Sequence, residues 1–200
     1  MDPLDPSRTA FLAVHLQNDI VDADGAFGAF FIEESRRNDT LGKAAALLDA
    51  ARDAGAPVVY ARIGFEPGYP DLVPNLPLLA MVRQFGAAVN GTWQTEIATV
   101  VAPHDEDLVL THTRPSPFQA SPLDTVLRGR GIDAVVVLGI ATNASVEDAA
   151  RAASNLGYRT VIASDASSAG TEVAHLATLE TFGLFGDTAT NAELLDALGA

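Results

Sequence analysis

The segment Gly139–Asp148, GIATNASVED, places a hydroxyl where chemistry is possible. It follows the apolar run Ala134–Leu138, and reads as a buried strand, a tight turn at a glycine and then a helix. Ser145 falls in the first turn of that helix, where backbone N–H groups lack intrahelical partners and the helix dipole favours negative charge. A hydroxyl there acts as a nucleophile, a polar ligand contact or a capping group. Two histidines hold comparable places. His15 closes the run TAFLAVH, and His112 closes DLVLTH, with Arg114, Ser116 and Phe118 just beyond. A single strand-end histidine is ordinarily a hydrogen-bonded packing residue, and a single early-helix serine an ordinary turn hydroxyl. Three such groups at matching ends of three strands point instead to a site, because imidazole changes charge near neutral pH. His104, in the polar loop APHDED, has no assigned role. His175 reads as a packing or capping residue, and Asp165 as an acceptor for its own turn.

The elements that must position these groups alternate along the chain. Thr9–Leu16 and Pro57–Ile63 read as buried strands, as do Asp107–His112, Ala134–Leu138 and Tyr158–Ser164, and a short strand is expected near Leu184–Asp187. Helical spacing covers Thr40–Gly55, with Gly55 as a C-terminal stop, and Ser121–Gly131, with Ser121 as N-cap and Pro122 at the first helical position. Ala144–Leu156, Thr171–Phe182 and Asn191–Leu198 complete the helices. Alternating strands and helices imply a three-layer α/β/α, Rossmann-like fold: a parallel sheet flanked by helices. Ligands of such sheets bind beyond the carboxyl ends of the strands, which is the edge where His15, His112 and Ser145 fall. The interval 64–106 breaks the rhythm with five prolines and the only tryptophan, Trp93, and reads as a lid or an oligomer contact within a single domain, 1–200.

Bulk properties exclude several classes. There is no cysteine, so disulfides, thiolate zinc sites and a cysteine nucleophile are ruled out. A net charge of −14 disfavours nucleic acid and anionic membrane as partners. No basic, apolar leader opens the chain and no apolar run approaches a membrane span, so a cytoplasmic protein is expected.

The segments FLAVHLQNDIV, GTWQTEI, DLVLTHTRPSPF and SPLDTVLRGRGIDAVVVLGIATNASVEDAARAASNLGYRTVIASDA occur in the order and spacing of the isochorismatase-like hydrolases, also called the cysteine hydrolase family. The chain resembles that family from Thr9 to Leu198. The resemblance implies six parallel strands and an active site of aspartate, lysine and cysteine. At the matching positions this chain carries His15, His112 and Ser145, while Gln17, Asn18, Asp19, Arg114, Ser116, Phe118, Gly139, Thr142 and Asn143 keep the family pattern. A cis peptide is implied at Ile140–Ala141. Family members that hydrolyse nicotinamide hold a metal through an aspartate and two histidines after the second strand. Here that region, ARIGFEPGYPDL, has no histidine, so neither metal nor cofactor is expected.

Three functions follow from the altered triad. The first is a hydrolase of a small amide, imide or ester, with Ser145 as nucleophile and His15 as the preferred base. In it His112 is a second base or donor, and Arg114 a clamp for a substrate carboxylate. Gln17, Phe118, Trp93 and the oxyanion segment Ile140, Ala141 and Thr142 would complete substrate binding. The second is a non-covalent ether hydrolase with a His15 imidazolium as acid. The third is a protein that binds a small ligand or a partner without turnover. A two-histidine metal site at His15 and His112 lacks a third ligand at the right spacing. A small-molecule substrate and a homo-oligomer, dimer or tetramer, are the expected partners.

Overall fold

The computed structural model describes residues 1–199. Six parallel strands form one sheet: β1 Thr9–Val14, β2 Val58–Ile63, β3 Leu108–His112, β4 Ala134–Ile140, β5 Arg159–Ser168 and β6 Asp187–Ala189, in the order β3-β2-β1-β4-β5-β6. The helices are α1 Asn18–Val21, α2 Gly28–Arg37, α3 Thr40–Asp53, α4 Pro77–Phe85, α5 Leu123–Gly129, α6 Glu147–Asn155, α7 Glu172–Phe182 and α8 Asn191–Leu198. Short 3-10 turns interrupt the loops.

The near-continuous apolar strands follow from burial on both faces. Along β1, Phe11 and Ala13 point into one core, with Leu47 and Leu48 of α3, Leu79 of α4 and Leu194 of α8. Ala10, Leu12 and Val14 point into the other, with Leu123 and Leu127 of α5 and Ala149, Ala150 and Ala153 of α6. The alanine face of α6 lets that helix lie close on the sheet.

The strand order reverses at β1, which pairs with β2 on one side and β4 on the other. The crevice beyond the carboxyl ends of β1 and β4 is therefore the topological switch point. Backbones approach closely there. Val14 pairs with Gly139, whose φ is 124°, and a Cβ on Gly139 would lie 2.1 Å from the Val14 carbonyl oxygen. Only glycine fits.

Several sequence expectations need correction. The fifth strand runs on through Asp165 to Ser168, because Ser167 and Ser168 pair with Gly139 and Ile140 across an irregular register. The last strand lies at Asp187–Ala189; the apolar Leu184 and Phe185 sit on an exposed turn instead. Helix α5 begins at Leu123, and the Ser121 hydroxyl still accepts its N–H. Helices α1 and α2 lie where no helix was expected. Within 64–106, α4 packs on the core. No helix among the described residues is long and apolar enough to cross a membrane.

Candidate active site

His15 follows β1 directly and leaves it in the left-handed region, at φ 55°, an uncommon conformation for a residue with a Cβ. Its N–H donates to the Ala61 carbonyl, which holds the turn against β2. The next polar residue, Gln17, is wholly buried. Its amide donates to the Ile63 carbonyl at 2.9 Å and accepts from the Ile63 N–H at 2.8 Å. Asp19 is equally buried. Its carboxylate accepts from the N–H groups of Ala26 at 2.8 Å and Ala88 at 2.7 Å, tying the approach to α2 to the loop after α4.

His112, the last residue of β3, stands in register with Ile63. Its ring stacks on that of His15, with centroids 5.0 Å apart, and the two Nε2 atoms are 3.2 Å apart. His112 Nδ1 lies 2.7 Å from the Arg114 carbonyl oxygen. A carbonyl only accepts, so Nδ1 of His112 carries the hydrogen. In a neutral ring Nε2 then holds the lone pair and accepts from Nε2–H of His15. Nδ1 of His15 is left unprotonated, as the basic atom of the pair. Burial, aided by the neighbouring His112, pushes the His15 pKa well below its usual 6.5. Burial also pushes His112 down to about 4, although the Arg114 carbonyl opposes the shift. Both rings are therefore neutral at pH 7.

Ser145 lies in a single π-type turn, Thr142–Val146, ahead of α6 rather than inside that helix. Asn143 departs from helical geometry, and the N–H groups of Ala144 and Val146 both bond the Ala141 carbonyl. The Ile140–Ala141 peptide is cis, as the family resemblance implies. The turn is braced from α7, where His175 Nδ1 lies 2.9 Å from the Thr142 hydroxyl.

His15 and Ser145 line one recess, a cavity of about 50 Å³. Ile140, Ala141 and Ala144 line it with them. Helix α2 contributes Phe31 to its lining, and α4 contributes Leu78 and Val82. No hydrogen bond joins Ser145 to either histidine among the described residues; His15 and His112 bond each other, and His112 the Arg114 carbonyl.

The other candidate residues lie elsewhere. The Arg114 guanidinium bonds the Asn75 side chain at 2.9 Å and the Val73 carbonyl. Phe118 packs against Tyr158 on the far face of the sheet. Trp93 is 43% exposed and borders a different groove, with Asn18 and Ile97. Gln17 has its amide committed to backbone. Sequence reasoning missed Phe31, Leu78 and the brace at His175. The residue type of His175 was visible, but only the packing of α7 against the turn Thr142–Val146 brings it to Thr142. Among the described residues no group of three or more histidine, cysteine or carboxylate side chains could hold a metal.

Comparison with known proteins agrees with this architecture. The chain is 32% identical to ureidoacrylate amidohydrolase RutB of Methylobacterium radiotolerans, over 98% of this chain and 81% of that protein. The structure of a cysteine hydrolase from Pseudomonas syringae pv. phaseolicola 1448A superposes with a TM-score of 0.88 at 26% identity, covering 100% of this chain and 96% of that one. N-carbamoylsarcosine amidase from Thermoplasma acidophilum matches with a TM-score of 0.75 at 25% identity, over 92% of this chain and 96% of that one. The model of the isochorismatase domain matches residues 9–193, and the chain belongs to the isochorismatase family.

Proposed function

We propose that this protein is a hydrolase of small amides or esters, with Ser145 as nucleophile, His15 as base and His112 as the group that orients His15. The observation that carries this reading is the shared recess: Ser145 and His15 line it together, and His15 is held by a hydrogen-bonded chain through His112 to the Arg114 carbonyl. The names of two similar proteins, an amidohydrolase and an amidase, support an amide-type bond.

In the proposed cycle Ser145 Oγ attacks the substrate carbonyl carbon while Nδ1 of His15 takes its proton. The tetrahedral intermediate collapses, the carbon–nitrogen or carbon–oxygen bond breaks, and His15 returns the proton to the leaving group. Water, deprotonated by the same atom, then releases the acid from Ser145. Hydrogen bonds between such a nucleophile and base tighten on substrate binding. His112 plays the part an aspartate plays in serine hydrolases, fixing the tautomer of the base, without adding charge.

Neutral burial of His15 counts against the ether-hydrolase reading, which needs an imidazolium. The missing direct bond from Ser145 to His15 favours the ligand-binding reading as the runner-up. Ser145→Ala separates the two. Turnover of a 4-nitrophenyl ester is expected to fall at least about 10³-fold, with loss of the acylated Ser145 peptide in mass spectra. Unchanged turnover in Ser145→Ala overturns the nucleophile role, and absence of turnover in the natural protein favours the binding reading.

We also propose a homo-oligomer, supported by the exposed Val173, Leu176 and Leu184 on and just after α7. Light scattering of the eluting protein is expected to give a mass above the 20.8 kDa of one chain.

A further inference from the structure

Among the described residues no lysine or arginine side chain lines the recess. Phe27, Phe31, Ile63, Leu78 and Val82 line it, and among the described residues the only polar side chains in the lining are His15 and Ser145. Both histidines are neutral, so the inner end holds no cation either. The arginines near the lining in sequence are turned to other partners: Arg62 to the Thr111 hydroxyl and the Thr95 carbonyl, Arg83 to the Tyr69 carbonyl, and Arg114 to Asn75 and the Val73 carbonyl. On α2, Arg37 is engaged by Glu34 and Glu172. The charges that reach the brace at His175 are the carboxylates of Glu172, Asp165 and Glu34. The whole chain carries −14.

We infer that this site selects uncharged substrates whose acyl part is an aliphatic or aromatic tail, and rejects substrates that carry a carboxylate. The inference rests on the proposed hydrolase reading and adds the class of molecule that the site takes. It separates this chain from its similar proteins, since ureidoacrylate and N-carbamoylsarcosine, in the names of two of them, are both carboxylates. The physical reason is desolvation. A methyl or ethyl end entering this recess replaces water by Phe31, Leu78 and Val82, which is favourable for each methylene buried. A carboxylate entering the same space loses its hydration and meets no N–H⁺ donor, which is strongly unfavourable. Specificity therefore comes from exclusion as much as from attraction.

The test uses two amides of similar length, hexanamide and glutaramate, which differ at the end remote from the amide. Ligand-observed NMR titration of the natural protein measures the binding of each, and product release measures turnover. Hexanamide is expected to bind at least about tenfold more tightly than glutaramate. Phe31→Arg, which sets a cation in the wall, is expected to shrink or reverse that ratio, and Leu78→Lys to do the same from α4. Equal or tighter binding of glutaramate by the natural protein overturns the inference. An unchanged ratio in both folded variants overturns it as well. The parent reading fails separately: preferential binding of hexanamide with no hydrolysis of amide or 4-nitrophenyl ester keeps the selectivity and removes the hydrolase. Hydrolysis with a preference for glutaramate does the reverse.

Discussion

His112 never reaches the recess, yet it decides which nitrogen of His15 is basic. The Arg114 carbonyl fixes one proton, and electroneutrality of two buried rings fixes the rest. Replacing His112 with Phe keeps an aromatic ring stacked on His15 but removes the acceptor for its Nε2–H. The His15 tautomer is then free to change. We expect kcat/KM for an ester to fall by roughly 10²–10³ with KM little altered, the pattern of a lost orienting group. The acid limb of kcat/KM in the natural protein is expected below pH 6.5, because burial disfavours the imidazolium of His15. A limb at or above 6.5 in a pH–rate profile contradicts that assignment. The sequence showed these residue types and their shared sheet edge. It did not show the stacking, because whether two strand ends meet ring to ring depends on the φ of a single residue, 55° at His15.

The elements explain why some parts of the fold were legible and others not. Strands β1, β2 and β4 stand close to where their apolar runs placed them, since burial on both faces leaves no ambiguity of period, and the edge strand β3, only partly buried, also lies where its run placed it. Helix α8 was equally plain, and its capping box of Thr190 and Glu193 gives it a defined start. Helix α2 was hidden because only Gly28 and Ser35 of its ten residues are buried, so no apolar stripe marks it. The tail of β5 was hidden because Asp165 and two serines look like a turn. In the fold Asp165 accepts from the Asn191 N–H and the serines pair with β4. Trp93, Phe118 and Arg114 kept the family spacing, yet their side chains serve other contacts. Spacing reports the path of the backbone, not the direction of a side chain. The approach of Gly139 to Val14 makes one element-level prediction. Gly139→Ala forces a Cβ against a carbonyl oxygen at 2.1 Å, in a strained backbone region. We expect a loss of more than about 3 kcal/mol in urea unfolding, or no folded protein.

At the scale of the molecule, the buried histidines make stability depend on pH. In the unfolded chain both protonate near 6.5; in the folded chain His112 resists until about 4 and His15 is held well below 6.5. Between those values the unfolded state binds more protons, so stability falls as the pH drops through the window and is flat above it. His112 alone is expected to remove roughly 2 kcal/mol between pH 7 and pH 5. Urea midpoints at the two pH values check this, and His112→Phe is expected to lessen the difference. The Asp19 carboxylate, finally, sets how the chain divides its labour. It binds both the approach to α2 and the loop after α4, the two helices that supply the apolar walls, while the histidine relay and Ser145 stand on strand ends. On the proposed reading the chemistry is thus anchored at the sheet's edge, and the choice of substrate hangs from one carboxylate on two removable panels. A lineage built on this plan can exchange its walls, residues 28–37 and 77–85, and acquire a new diet without disturbing the reaction.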